Sequence, residues 1–115
     1  MPGNISLDGR VLAGVANADE GEVSEETTLR FEQEGERIYA RYAGGDVLDG
    51  HLVGTFDGER WDIRYTQINT EFETATGHSV GQVEELEDGR IRVEDEWEWE
   101  SREGSGETVL EEVDS

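Results

Sequence analysis

Gly89-Arg90-Ile91-Arg92-Val93-Glu94-Asp95-Glu96-Trp97-Glu98-Trp99-Glu100-Ser101 alternates between apolar and charged side chains. Ile91, Val93, Trp97 and Trp99 share one parity, and Arg90, Arg92, Glu94, Glu96, Glu98 and Glu100 share the other. A period of two belongs to a strand with one dry face and one wet face. Wound as a helix, the same residues would spread around the axis and bury several glutamates. Asp95 is the exception, a carboxylate on the apolar parity.

Outward from this strand, the chain reads as short strands separated by turn residues. The pattern predicts strands at 10–16, 27–33, 37–43, 47–56, 61–69, 72–86, 89–101 and 107–113. Gly35-Glu36, Gly44-Gly45-Asp46, Asp57-Gly58 and Asp88-Gly89 supply tight turns, and 17–21 is a turn-rich connection. The only proline is Pro2, so no strand is barred from a central position. Residues 1–7 read as an irregular lead-in and 8–115 as one domain. An open meander of this length leaves two edges unpaired, and closure removes them. The predicted fold is therefore all-β: an antiparallel up-and-down barrel of lipocalin or calycin type, with about eight strands.

Each turn also sets a register. Turning at Gly35-Glu36 pairs Phe31 with Ala40 and Leu29 with Tyr42. A loop over 44–46 pairs Ile38 with Leu52. Turning at Asp57-Gly58 pairs Gly54 with Trp61, Leu52 with Ile63 and Gly50 with Tyr65. Turning at Asn69-Thr70 pairs Tyr65 with Thr74 and Trp61 with His78, and turning at Asp88-Gly89 pairs Gln82 with Asp95 and His78 with Trp99. The predicted inner face thus holds Trp61, Tyr65, His78, Gln82, Asp95 and Trp99, with Tyr42, Gln67, Thr74 and Thr76 as further inward polar groups.

An imidazole between two indoles at a barrel mouth can hold a small, partly apolar ligand by stacking and one hydrogen bond. The ligand-binding set read from sequence is therefore Trp61, His78, Trp99, Tyr65, Gln82 and Asp95; the alternative is a filled wall. An inward carboxylate is costly unless partnered. Gln82 is the expected donor to Asp95. A turn over 102–104 sets Glu111 on its other side, and a turn one residue different sets Leu110 there. Two close carboxylates can share a proton, so an enzyme using Asp95 and His78 as acid–base groups is a second reading. A structural or interaction module without ligand is a third. No His/Asp/Glu cluster has metal-ligand spacing, so neither metal nor cofactor is expected.

The same registers put Arg30, Arg37, Arg41, Arg60 and Arg64 on the outside of strands two to six, among Tyr39, His51, Val53, Ala75, Gly77 and Ser79. Arginine and tyrosine are enriched at interfaces, which predicts a homodimer through Arg37, Tyr39, Arg41, His51, Arg60 and Arg64. The competing reading pairs these arginines with Glu32, Glu34, Asp49, Asp62 and Glu73 on the same surface.

Several stretches carry a family likeness: Gly-Glu-Val-Ser-Glu-Glu-Thr at 21–27, Tyr-Ala-Gly-Gly at 42–45, Gly-His-Leu-Val-Gly at 50–54, Ile-Arg-Tyr-Thr-Gln-Ile-Asn at 63–69, Thr-Gly-His-Ser at 76–79 and Glu-Trp-Glu-Trp at 96–99. On these, from residue 8 to 113, the chain resembles a family of small bacterial and archaeal proteins labelled N-acetylglutamate synthase, in its haloarchaeal type. That label implies an acetyl-CoA-dependent transferase. Such enzymes hold the pyrophosphate on an Arg/Gln-x-x-Gly-x-Gly/Ala loop that opens a helix. The nearest stretch, Arg41-Tyr42-Ala43-Gly44-Gly45-Asp46, departs at its last position and lies in a hairpin, so the activity is not carried over.

Of 115 residues, 30 are acidic and nine basic; all nine are arginine, and the net charge is −21. This balance argues against nucleic acid and anionic membranes as partners. Cysteine is absent, which excludes disulfides and thiolate sites. No signal peptide and no run of ~20 apolar residues is visible, so a soluble cytoplasmic protein is expected. Self-repulsion of this size suits concentrated salt, where the Debye length falls to ~3 Å at about 1 M. The thermal midpoint should therefore climb steeply as KCl rises from dilute to about 1 M. A midpoint indifferent to salt would contradict the halophilic reading.

Overall fold

The computed structural model describes residues 5–17, 25–101 and 103–113. The predicted connection past Asn17 and the start of the 21–27 stretch lie outside the described residues. Eight strands follow in order: β1 (Val11–Asn17), β2 (Thr28–Glu34), β3 (Arg37–Gly44), β4 (Val47–Phe56), β5 (Arg60–Asn69), β6 (Thr74–Glu85), β7 (Ile91–Trp99) and β8 (Ser105–Glu112). Each pairs antiparallel with the next, and β8 pairs with β1 to close the barrel. No helix occurs among the described residues. The predicted strand ends move by at most two residues.

Alternation decides what is buried. Ile38, Ala40 and Tyr42 of β3 face in, as do Ile91, Val93, Asp95, Trp97 and Trp99 of β7. Most inward side chains join one cluster that includes Leu12, Leu29, Phe31, Ile38, Leu52, Phe56, Ile91, Val93 and Leu110. Each such side chain contributes roughly 1.5–3 kcal/mol on leaving water. Leu7 of the lead-in is fully buried in this cluster, and its N–H donates to Gln33 Oε1 at 2.9 Å. The lead-in thus covers the barrel end where β2 turns into β3. A second cluster of Ala75, Trp97 and Trp99 lies toward the other end, with Tyr65 bridging the two.

The expected β2–β3 register holds, with Leu29 opposite Tyr42 and Phe31 opposite Ala40. The next two hairpins slide by two residues, which keeps every side chain on its expected face. Ala40, not Ile38, opposes Leu52, and Leu52 in turn opposes Tyr65. The cause at β4–β5 is local: Asp57 Oδ1 accepts from the Glu59 and Arg60 amides at 2.9 and 2.8 Å, lengthening the turn.

β6 is different. Asn69 Oδ1 accepts from the Glu71 and Glu73 amides at 2.9 and 3.0 Å, and the Asn69 N–H donates to the Glu73 carbonyl at 3.0 Å. The loop therefore runs to Glu73 instead of turning at Asn69-Thr70. Tyr65 meets Gly77 and Trp61 meets Gly81, a slide of three residues from the expected pairing. An odd slide exchanges the two faces of a strand. His78, Gln82, Thr74 and Thr76, expected inside, belong to the outer parity; Ala75, Gly77 and Ser79, expected outside, line the interior. On the far side of β6, Gly77 opposes Trp99, Ser79 opposes Trp97 and Gly81 opposes Asp95.

Packing explains the choice. A Cβ on Gly77 would stand 2.4 Å from Tyr65 Cζ and 2.7 Å from the Glu98 carbonyl oxygen; one on Gly81 would stand 2.6 Å from Trp61 Nε1. The rings of β5 lie across a strand whose inward groups are small, as rings cover glycine in curved sheets. Gly77→Ala should cost roughly 1–3 kcal/mol in denaturant titrations, because the Glu98 backbone cannot retreat. His78→Ala should cost less than about 1 kcal/mol. The reverse order would contradict this register.

Candidate functional site

A cavity of about 50 Å³ lies where the two apolar clusters meet. Five rings line it, those of Tyr42, Trp61, Tyr65, Trp97 and Trp99, together with Leu29, Leu52, Ile63 and Leu110. Trp99 sits edge-on to both Tyr65 and Trp97, with centroids 5.7 and 5.6 Å away. The polar groups on the lining are Gln67, Ser79, Asp95 and Thr108.

Strand pairing places these groups. Asp95 of β7 stands between Gly81 of β6 and Thr108 of β8. The Ser79 hydroxyl donates to Asp95 Oδ2 at 2.6 Å and accepts from Trp61 Nε1 at 3.1 Å. Trp97 Nε1 donates to Thr108 Oγ1 at 2.8 Å, and the Tyr42 hydroxyl donates to Gln67 Oε1 at 2.9 Å. Asp95 is only 8 % exposed, and its Oδ1 is buried with no hydrogen-bond partner. Burial pushes its carboxyl up from the ordinary 3.8 to about 6, against the opposing pull of hydrogen bonds from the Ser79 hydroxyl and the Thr108 amide. Desolvation disfavours the charged form and outweighs those bonds here.

Of the residues read from sequence, Trp61, Tyr65, Trp99 and Asp95 come together at this cavity. His78 does not: its Nε2 lies 2.6 Å from Asp62 Oδ1, and its Nδ1 lies 4.0 Å from Glu98 Oε1, both on the outer wall. Gln82 is exposed opposite Glu94. Neither Glu111 nor Leu110 opposes Asp95; Thr108 does, and Glu111 pairs with Arg92 outside. Ser79 and Thr108 escaped the sequence reading, and Trp97, read as inward, was left out of the ligand-binding set. The available signal was the parity of β6 that carries alanine, glycine and serine, the only one able to lie under the rings of Trp61 and Tyr65.

On the outer wall, Tyr39, Val53 and Arg64 are consecutive partners across β3, β4 and β5, and Arg41 and His51 pair beside them. Arg37 pairs with Glu34, Arg41 with Asp49 at 3.4 Å and Arg64 with Glu100 at 3.4 Å; Arg60 lies opposite Gln82. Among the described residues no group of three or more His, Cys, Asp or Glu is placed to hold a metal ion. Nor is any helix among those residues long and apolar enough to cross a membrane.

A family model described as an avidin-like protein matches residues 5–113. No curated protein and no solved structure matches the chain. The match says nothing of the N-acetylglutamate synthase label.

Because the folded carboxyl of Asp95 holds its proton up to about pH 6, the folded state is protonated in a window where the unfolded chain is not. Its contribution to stability therefore falls as pH rises from 3.8 to about 6, and stays unfavourable above. Asp95→Asn should be more stable than the parent by roughly 1–3 kcal/mol at about pH 7.5 in salt, with the gain vanishing below about pH 4. Denaturant titrations at the two pH values measure it, and an equal difference at both would contradict the buried-carboxylate account.

Proposed function

Since the chain belongs to the avidin-like protein family, we propose that it is a non-enzymatic barrel that binds one small, partly apolar ligand in the chamber of Asp95, Trp97, Trp99, Tyr65 and Trp61. The observation that carries this is the unpartnered Asp95 Oδ1 on the lining of an aromatic cavity. Eight-stranded barrels are either filled by side chains or hold one small ligand, as lipocalins and streptavidin do. Here the larger apolar cluster fills one end, and the cavity lies where it meets the cluster of Trp97 and Trp99. A buried acceptor without a donor costs the wall about 1–3 kcal/mol, and a ligand N–H or O–H removes that cost. Asp95 and His78 lie on opposite faces of the sheet, so they cannot act as an acid–base pair on one substrate.

Size sets how the ligand enters. The cavity is about 50 Å³, whereas an engineered cavity of ~150 Å³ holds benzene. A ligand of several heavy atoms therefore displaces the rings of Trp99 and Tyr65. Intrinsic tryptophan emission should respond saturably to the right compound in a panel of small metabolites that includes biotin. Trp99→Ala should weaken that compound roughly tenfold or more, by removing a ring from the wall. A crystal structure whose chamber is filled by side chains, with no saturable response across the panel, would contradict the proposal.

A homodimer through the outer wall of β3, β4 and β5 is favoured by Val53, 56 % exposed between Tyr39 and Arg64. The double substitution Arg64→Glu with Tyr39→Ala should then give monomers by sedimentation in molar salt. A parent protein that sediments as a monomer at high concentration would refute the dimer.

A further inference from the structure

The hydrogen bonds around the chamber are unevenly used. The indole N–H groups of Trp61 and Trp97 and the hydroxyls of Ser79 and Tyr42 all donate within the wall. The oxygen left over is an acceptor, Asp95 Oδ1. A ligand that mainly accepts, such as a carboxylate or a carbonyl, finds those four donors already engaged. A ligand that donates finds a carboxylate.

The charge points the same way. Among the described residues, no arginine lines the chamber. Gly81 and Ser79 of β6 and Thr108 of β8, which flank Asp95, are not titratable, and the other ionisable groups on the lining are the phenols of Tyr42 and Tyr65. Among the described residues, no lining group therefore neutralises the carboxylate. The rings that surround it offer negative faces, which attract a cation within about 6 Å of a ring centroid. The chain as a whole carries −21, which concentrates cations around it.

We propose that the chamber selects a small organic cation, an ammonium group on a short apolar body, over neutral or anionic molecules of the same size. The ammonium group donates to Asp95 Oδ1 and its alkyl part lies against Trp97 and Trp99. This rests on the chamber being a ligand site. Binding requires the ionised carboxylate, so it weakens as Asp95 takes up a proton below about pH 6.

The test uses n-butylammonium, n-butanol and n-butyrate, which share a body and differ in the polar end. Indole N–H signals of Trp97 and Trp99 are followed by NMR in about 1 M KCl, where the surface charge is screened and selectivity comes from the chamber. Expected is saturable binding of n-butylammonium at about pH 7.5, roughly tenfold tighter than n-butanol, with no response to n-butyrate. Its affinity should fall about tenfold or more at about pH 4.5, and likewise in Asp95→Asn at about pH 7.5. The pH arm in the parent protein keeps the test decisive if the variant fails to fold. n-Butanol binding as tightly as n-butylammonium, or ammonium binding that ignores both pH and the variant, would overturn the cation selectivity and leave the chamber as a site. No response to any of the three overturns both.

Discussion

Four consecutive inward positions of β6 carry side chains no larger than serine: Ala75, Gly77, Ser79 and Gly81. The rest of the interior depends on that smallness. Tyr65 lies over Gly77 and Trp61 over Gly81, so close that a single added carbon would collide with them. Rings of this size held against a strand leave space behind them that aliphatic side chains do not fill. The cavity lies beside these rings, and Ser79, the one polar side chain among these four positions, reaches Asp95 on the neighbouring strand. Larger groups on β6 would push the rings inward and turn the barrel into a solid core.

Asp95 is then a deliberate irregularity in an otherwise regular strand. A carboxylate at 8 % exposure, with one oxygen unpartnered, destabilises the empty barrel in its charged form. The outside tells the opposite story. Arg92 has carboxylates of Glu84, Glu94 and Glu111 within 4 Å, and other arginines sit beside single acids. Exposed pairs of this kind contribute ~0–1 kcal/mol each, and salt weakens them. Stability in concentrated salt therefore rests on the apolar interior, while the acidic surface governs solubility and which solutes gather nearby.

Much of the fold was legible in the sequence because a period of two leaves few alternatives. Strand order, closure and the inward set of β2, β3, β4, β5 and β7 followed from alternation and glycine-marked turns. Slides of two residues at β3–β4 and β4–β5 did no harm, since they preserve the faces. The β5–β6 loop did harm. Asn69 folds its side chain onto two backbone amides and extends the turn, and the odd slide sent His78 and Gln82 outside while bringing Ser79 in. Turn length of this kind depends on one side chain's hydrogen bonds, and dipeptide preferences do not reveal it. The partner of Asp95 was missed for the same reason, and Thr108 because the last hairpin closes at a different length from either one considered. The three rings of Trp61, Tyr65 and Trp99 around Asp95 needed only parity.

Asp95 is buried on the wall of an aromatic chamber, with one oxygen that has no hydrogen-bond partner. Its side-chain carboxyl carbon can be followed by NMR through an acid titration of the ligand-free protein in salt, with Asp95→Asn fixing the assignment. Burial against the Ser79 hydroxyl predicts a midpoint near 6. A midpoint near the ordinary 3.8 would mean that water reaches both oxygens, and would contradict the chamber as described.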